Sequence, residues 1–143
     1  MLAEPAVIYV DKDDFDLYDN LQEDILNFNK RDRKDQFLFA LAVGFKFSVK
    51  SKLNKKRDFF RSSYLLPKDE NLLRVVAWFE TRDTEVLNNW TKIFEIAEMY
   101  AHGGIKLLYE NVKNTPYGKF EKKIEEEIIE KLGDIKKIKD KNE

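Results

Sequence analysis

The run Phe37-Leu38-Phe39-Ala40-Leu41-Ala42-Val43-Gly44-Phe45 is the longest unbroken apolar stretch of the chain, and no fold can leave it in water. Arg33, Lys34, Asp35 and Gln36 before it tolerate a helix, and Gly44 stands where a helix would stop. The spacing predicts a helix from about Arg33 to Val43, apolar on nearly every side and central to a core.

A chain of 143 residues suits one domain, large enough to bury about two-thirds of the surface it would expose unfolded. We expect a mainly α-helical, compact single domain over residues 1–132, followed by a charged tail over 133–143. Cysteine is absent, which removes disulfides, thiolate nucleophiles and Cys-ligated zinc. There is no basic-then-apolar leader and no apolar run of about 18 residues, so a cytoplasmic protein without membrane contact is expected.

Along the chain, Ala6-Val7-Ile8-Tyr9-Val10 reads as one short N-terminal strand. Asp11, Asp13 and Asp14 then supply cap and first-turn carboxylates for a helix from about Asp14 to Phe28, with Phe15, Leu17, Tyr18, Leu21, Ile25 and Phe28 as its stripe. Strand, helix, helix is also the order of a ribbon-helix-helix unit, in which strands from two copies pair and enter the major groove. Here the strand offers Val7, Ile8, Tyr9 and Val10 rather than groove-reading polar residues, so such a start would serve dimerisation or core formation.

Further on, Phe45, Phe47 and Val49 alternate as in a short strand, and most of the stretch to Ser63 reads as loop. Leu66-Pro67 opens a helix to about Glu80, and Glu85 to Trp90 forms a short helical piece. A helix capped by Thr91 follows, with Ile93, Phe94, Ala97, Tyr100 and Ala101 inward and Lys92, Glu95 and Glu98 outward, ended by His102-Gly103-Gly104. Ile105, Leu108 and Val112 mark another helix. Finally Phe120, Ile124, Ile128 and Leu132 recur at spacing four, a stripe able to dock on its own domain or on a sister subunit.

The net charge of -1 conceals an uneven distribution. Residues 1–28 hold one lysine against eight carboxylates, whereas residues 29–61 hold eleven Lys and Arg against three Asp. Lys46, Lys50, Lys52, Lys55, Lys56, Arg57 and Arg61, interleaved with Phe47, Phe59, Phe60 and Tyr64, are therefore the candidate nucleic-acid contacts: ammonium and guanidinium groups neutralise phosphates, and rings stack on bases. The competing reading is a solvated loop whose aromatics belong to the core and whose charge is matched by the acidic N-terminal helix.

Other constellations carry less. Asp11, Asp13, Asp14 and Asp16 fail the calcium-loop pattern, because Asp16 and Gln22 stand where Gly and a bidentate Glu are needed; they read as helix-start carboxylates. His102, the single histidine, is expected at a helix end beside terminal carbonyls. No catalytic set, metal or cofactor is expected. Glu80, Arg82, Asp83 and Glu85 make a surface turn, and it is the one place where a metal-dependent phosphodiesterase could be built.

Four segments in order, Phe37 to Phe45, Phe59-Phe60-Arg61, Trp78-Phe79-Glu80-Thr81-Arg82-Asp83 and Ile96 to Leu108 with its Tyr100-Ala101-His102-Gly103-Gly104, resemble the small accessory proteins encoded beside DNA phosphorothioation (Dnd) genes. Those proteins have an apolar helix ending in Gly-Phe, a Glu-Thr-Gly-Asp-like turn, and Tyr-Ala-Asn-Gly-Gly before an apolar helix. Arg82 replaces the Gly and His102 the Asn. The resemblance implies a non-enzymatic accessory or adaptor in a DNA modification and defence system. Its expected partners are a second copy of itself, other proteins of a DNA-processing system, and DNA; a structural homo-oligomer and the phosphodiesterase are the alternatives.

Overall fold

The structure, a computed structural model, describes residues 5–24, 32–113, 128 and 131. Among them are β1 (Val7–Asp11), α1 (Asp14–Asp24), α2 (Arg33–Lys46), β2 (Lys56–Arg61), α3 (Pro67–Thr81) and α4 (Trp90–Lys113), with single 3-10 turns at Ser62–Tyr64 and Thr84–Asn88. The chain is mainly helical, with one short antiparallel pair of strands, as its sequence predicts.

The apolar run forms α2, started by Asp32, whose side chain accepts the Asp35 amide at 2.9 Å. Phe37, Ala40, Leu41 and Val43 are buried, and α2 lies against α4 at the centre of the core. Gly44 does not stop α2, nor do Gly103 and Gly104 end the next helix: α2 runs on to Lys46, and α4 is one continuous helix through both glycines. The reason is close packing. A Cβ on Gly44 would collide with the Tyr100 carbonyl, and one on Gly104 would collide with the Ala40 carbonyl and lie 2.7 Å from the Gly44 nitrogen. The two helix backbones touch where neither carries a side chain.

β1 pairs with β2, antiparallel, from Val7↔Arg61 to Asp11↔Lys56. The predicted strand over Phe45, Phe47 and Val49 is absent, since Phe45 and Lys46 finish α2 and the strand lies at Lys56–Arg61 instead. The strand–helix–helix order of a ribbon-helix-helix start is present, but the partner of β1 comes from the same chain. On the other side of β1, the Tyr9 amide donates to Glu98 Oε2 at 2.9 Å, so α4 covers that backbone donor as well.

In α3, Pro67 occupies the first turn and Asp69 accepts the Leu66 amide at 2.9 Å. The helix closes on Arg82 in the left-handed conformation (φ 55°), the position where the resembled proteins have glycine. Its guanidinium lies over the Trp78 and Phe79 rings, 4.9 and 4.8 Å from their centroids. From the C-terminal segment, Lys131 reaches over the Phe45 ring at 5.4 Å. Ile25 and Phe28 of the α1 stripe, Phe120, Ile124 and Leu132, and the 133–143 tail lie outside the described residues.

Candidate nucleic-acid interface

β2 reads Lys-Arg-Asp-Phe-Phe-Arg, a sequence that burial rather than strand propensity holds in place. The register shifts between Ile8 and Tyr9, leaving Phe59 as an extra residue, and this bulge lets both neighbouring phenylalanines reach the core. Phe59 packs on Phe15 (5.2 Å between centroids) and Tyr18 (4.6 Å); Phe60 packs on Phe37 (5.5 Å). These rings anchor the strand, and Lys56, Arg57 and Arg61, with the single carboxylate Asp58, remain exposed to solvent.

The preceding segment, 47–55, is hydrogen-bonded down along its length. Val49 donates its amide to Gly44 O (2.8 Å) and Ser51 to Met99 O (3.2 Å), after Ser48 turns the chain with φ 56°. Gly103 carries no side chain where the Val49 backbone crosses α4: a Cβ there would collide with the Val49 carbonyl, whose carbon lies 2.7 Å from it. The Asn54 and Lys55 amides both donate to Asp11 Oδ2, at 2.6 and 3.4 Å. Burial raises the Asp11 carboxyl, but these amides and that of Asp13, helped by His102, overcome it and leave the group below its ordinary value.

The predicted contacts divide by place. Lys46 is half-buried at the end of α2, and Lys50 pairs with Glu80. Lys52, Lys55, Lys56, Arg57 and Arg61 are exposed, and among the described residues none of them forms a salt bridge. Successive strand residues point to opposite faces, so Lys56 lies over Tyr9 (5.6 Å) while Arg57 lies over Phe15 (3.9 Å). Arg33, paired with Asp19 at 2.9 Å, stacks beside it on Phe15 and Phe59. Phe59 and Phe60 belong to the core rather than to a stacking surface, whereas Phe47 and Tyr64 are exposed.

On the Lys56 side lies a cavity of about 330 Å³ lined by Lys52, Leu53, Lys56, Lys92, Glu95, Glu98 and Met99. Glu98, expected on the outer face of its helix, is only 4% exposed. It follows Phe94 by four residues and precedes Ala101 by three, so it stands on the apolar stripe. Burial pushes its carboxyl up to about 7, against the opposing pull of the Tyr9 amide and Lys56.

His102 also departs from expectation. It sits inside α4, buried, with Nδ1 2.5 Å from Asp14 Oδ2 and Nε2 4.0 Å from Asp11 Oδ2. Asp14 stands in the first turn of α1 and Asp11 accepts the Asp13 amide, as the sequence predicts, but both carboxylates are also buried core groups. The carboxylates approach opposite ring nitrogens, so they do not converge on a point where a metal could bind, and among the described residues no cluster of three ligating side chains does. In the charged turn, Glu80 pairs with Lys50 and accepts from the Tyr100 hydroxyl (2.5 Å), and Asp83 caps a 3-10 turn by accepting the Glu85 amide (2.9 Å).

No helix among the described residues is long and apolar enough to cross a membrane. No curated protein and no solved structure matches the chain. A family profile does, over nearly the whole length and including every segment that carried the resemblance to Dnd accessory proteins: by its match over residues 8–140, the chain belongs to the family of DNA sulphur modification system-associated protein 4.

Proposed function

We propose that this chain is a non-catalytic accessory protein of a DNA sulphur modification system, acting in the cytoplasm and holding the DNA backbone through the cationic segment from Lys46 to Arg61. The observation that supports this is the set Lys52, Lys55, Lys56, Arg57 and Arg61, exposed and without carboxylate partners among the described residues. Their backbone is already fixed by Asp11 and by the β1 pairing, so little ordering entropy is lost on binding. Cations on both faces of a two-stranded ribbon suit a backbone contact without base reading.

Fluorescence anisotropy with a labelled duplex tests it. Binding is expected at about 50 mM salt, with a log–log salt slope of roughly -0.9 per phosphate contacted. The triple variant Lys55→Glu/Lys56→Glu/Arg57→Glu loses binding while its far-ultraviolet circular dichroism stays unchanged. Equal affinity of variant and wild type overturns the reading.

A second reading concerns protein partners. Leu72, Val75 and Phe79 leave an exposed apolar stripe along α3, 42 to 49% accessible. It suits docking on another protein of the same system or on a second copy. Sedimentation of Leu72→Glu/Val75→Glu against wild type, alone and with the other proteins of the system, separates the two occupants; identical profiles in both settings defeat this reading.

A further inference from the structure

We propose that the cavity bounded by Lys52, Lys56 and Lys92 seats one phosphate group of a nucleic acid backbone. This deepens the DNA reading above and rests on it. The three ammonium groups come from three separate elements, the 47–55 segment, β2 and the first turn of α4, and they line one recess of about 330 Å³. Lys92 lies at the positive end of α4, where its amide donates to the capping Asn89 side chain at 3.1 Å, and an anion there gains from the helix dipole as well. Leu53 and Met99, half-buried, supply the apolar part of its wall. Arg57 and Arg61 do not line the recess, and Lys92 is a contact that the cationic segment alone does not contain.

Two carboxylates share the recess. Glu95 is exposed on its rim, and Glu98 is sealed at its floor, holding the Tyr9 amide. The charges acting on Glu98 are Lys56 and Glu95, with burial dominant. Because Glu98 takes up its proton at about 7, it is mostly protonated at pH 6 and mostly ionised at pH 8, and the recess is more positive at pH 6 by most of a unit charge. Phosphodiesters do not titrate in that range, so the change in affinity reports the protein. A unit charge some 7 Å away in a water-like medium alters binding about threefold.

The test is anisotropy with a duplex at low salt, at pH 6 and pH 8, on wild type, Lys92→Gln, Lys68→Gln and Glu98→Gln. Lys92→Gln is expected to weaken binding about fivefold and to flatten the salt slope by roughly 0.9. Lys68→Gln removes the same charge from α3 and leaves both unchanged. Wild type binds about threefold tighter at pH 6 than at pH 8, and Glu98→Gln keeps the tighter value at both. If wild type binds but Lys92→Gln matches it, or matches Lys68→Gln, the recess is not a phosphate seat while the DNA reading survives. A pH response that persists in Glu98→Gln overturns the role of that carboxyl. If wild type binds no duplex, both proposals fall together.

Discussion

His102 Nδ1 lies 2.5 Å from Asp14 Oδ2, a hydrogen bond that ties the middle of α4 to the first turn of α1 with neither side chain more than 3% exposed. Asp11 stands on the far side of the ring and holds the Asn54 and Lys55 amides. A buried polar chain thus runs from the core to the cationic segment, and the segment's shape depends on groups that never meet solvent.

Removing one member strands the other. His102→Leu leaves the Asp14 carboxyl buried without its partner and is expected to cost about 3–5 kcal/mol in urea denaturation. The double variant His102→Leu/Asp14→Leu removes both polar groups and should recover much of that loss. A double variant as unstable as the sum of the singles shows that the two side chains do not act as a pair.

The helices were legible because spacing and caps agree: α2 begins after Asp32 and α3 at Leu66-Pro67, with Phe37, Ala40, Leu41 and Val43 of the one and Leu73, Val76 and Ala77 of the other facing inward, while Leu72, Val75 and Phe79 stay exposed. The glycines misled, since a Gly at a helix stop and a Gly at a helix crossing are indistinguishable until the second helix is known. β2 was illegible for a related reason. Its charged sequence has no strand signature, and what makes it a strand is pairing with residues about fifty positions earlier. Asp14 and Glu98 did leave a trace, each lying three or four residues from stripe members, Leu17 and Tyr18 for the one and Phe94 and Ala101 for the other. At Glu98 charge was read as exposure where position said otherwise, and at Asp14 as helix-start electrostatics alone.

The helix crossing gives a sharp expectation. Alanine in a helix interior ordinarily gains up to about 1 kcal/mol over glycine. At Gly104 the new methyl meets the Ala40 carbonyl and the Gly44 nitrogen, backbone atoms that no rotamer change can move. Gly104→Ala should therefore lower stability by about 2 kcal/mol or more, a fall in Tm of about 6 °C by calorimetry. A raised Tm would mean that α2 and α4 do not approach this closely.

Asp69 joins two helices, accepting from the Leu66 amide at the start of α3 and from Lys34 Nζ of α2 at 3.0 Å. Burial opposes its ionisation, yet the amide and the ammonium prevail and its carboxyl lies below the ordinary 3.8. A lowered carboxyl contributes stability above the unfolded value and loses it as pH falls through the folded one. Asp69→Ala should cost about 2 kcal/mol at neutral pH, with the gap from wild type narrowing below pH 3.8. A gap that is constant with pH would assign the loss to packing alone.

Glu98 has the opposite sign. Its carboxyl titrates at about 7 in the fold against 4.5 in the unfolded chain, because α4 carries it into the core beneath Tyr9. A raised value means that the native state favours the proton, so the full contribution of this group is present below 4.5 and is lost as pH rises through about 7. The difference of two to three pK units corresponds to about 3 kcal/mol withheld above that range. Glutamine keeps an oxygen for the Tyr9 amide and cannot ionise. Glu98→Gln should then match wild type near pH 4 and exceed it by about 3 kcal/mol at pH 8, measured as urea midpoints across the range. If the two proteins differ by the same amount at every pH, Glu98 ionises freely, and the recess beside Lys56 and Lys92 is wetter than its burial indicates.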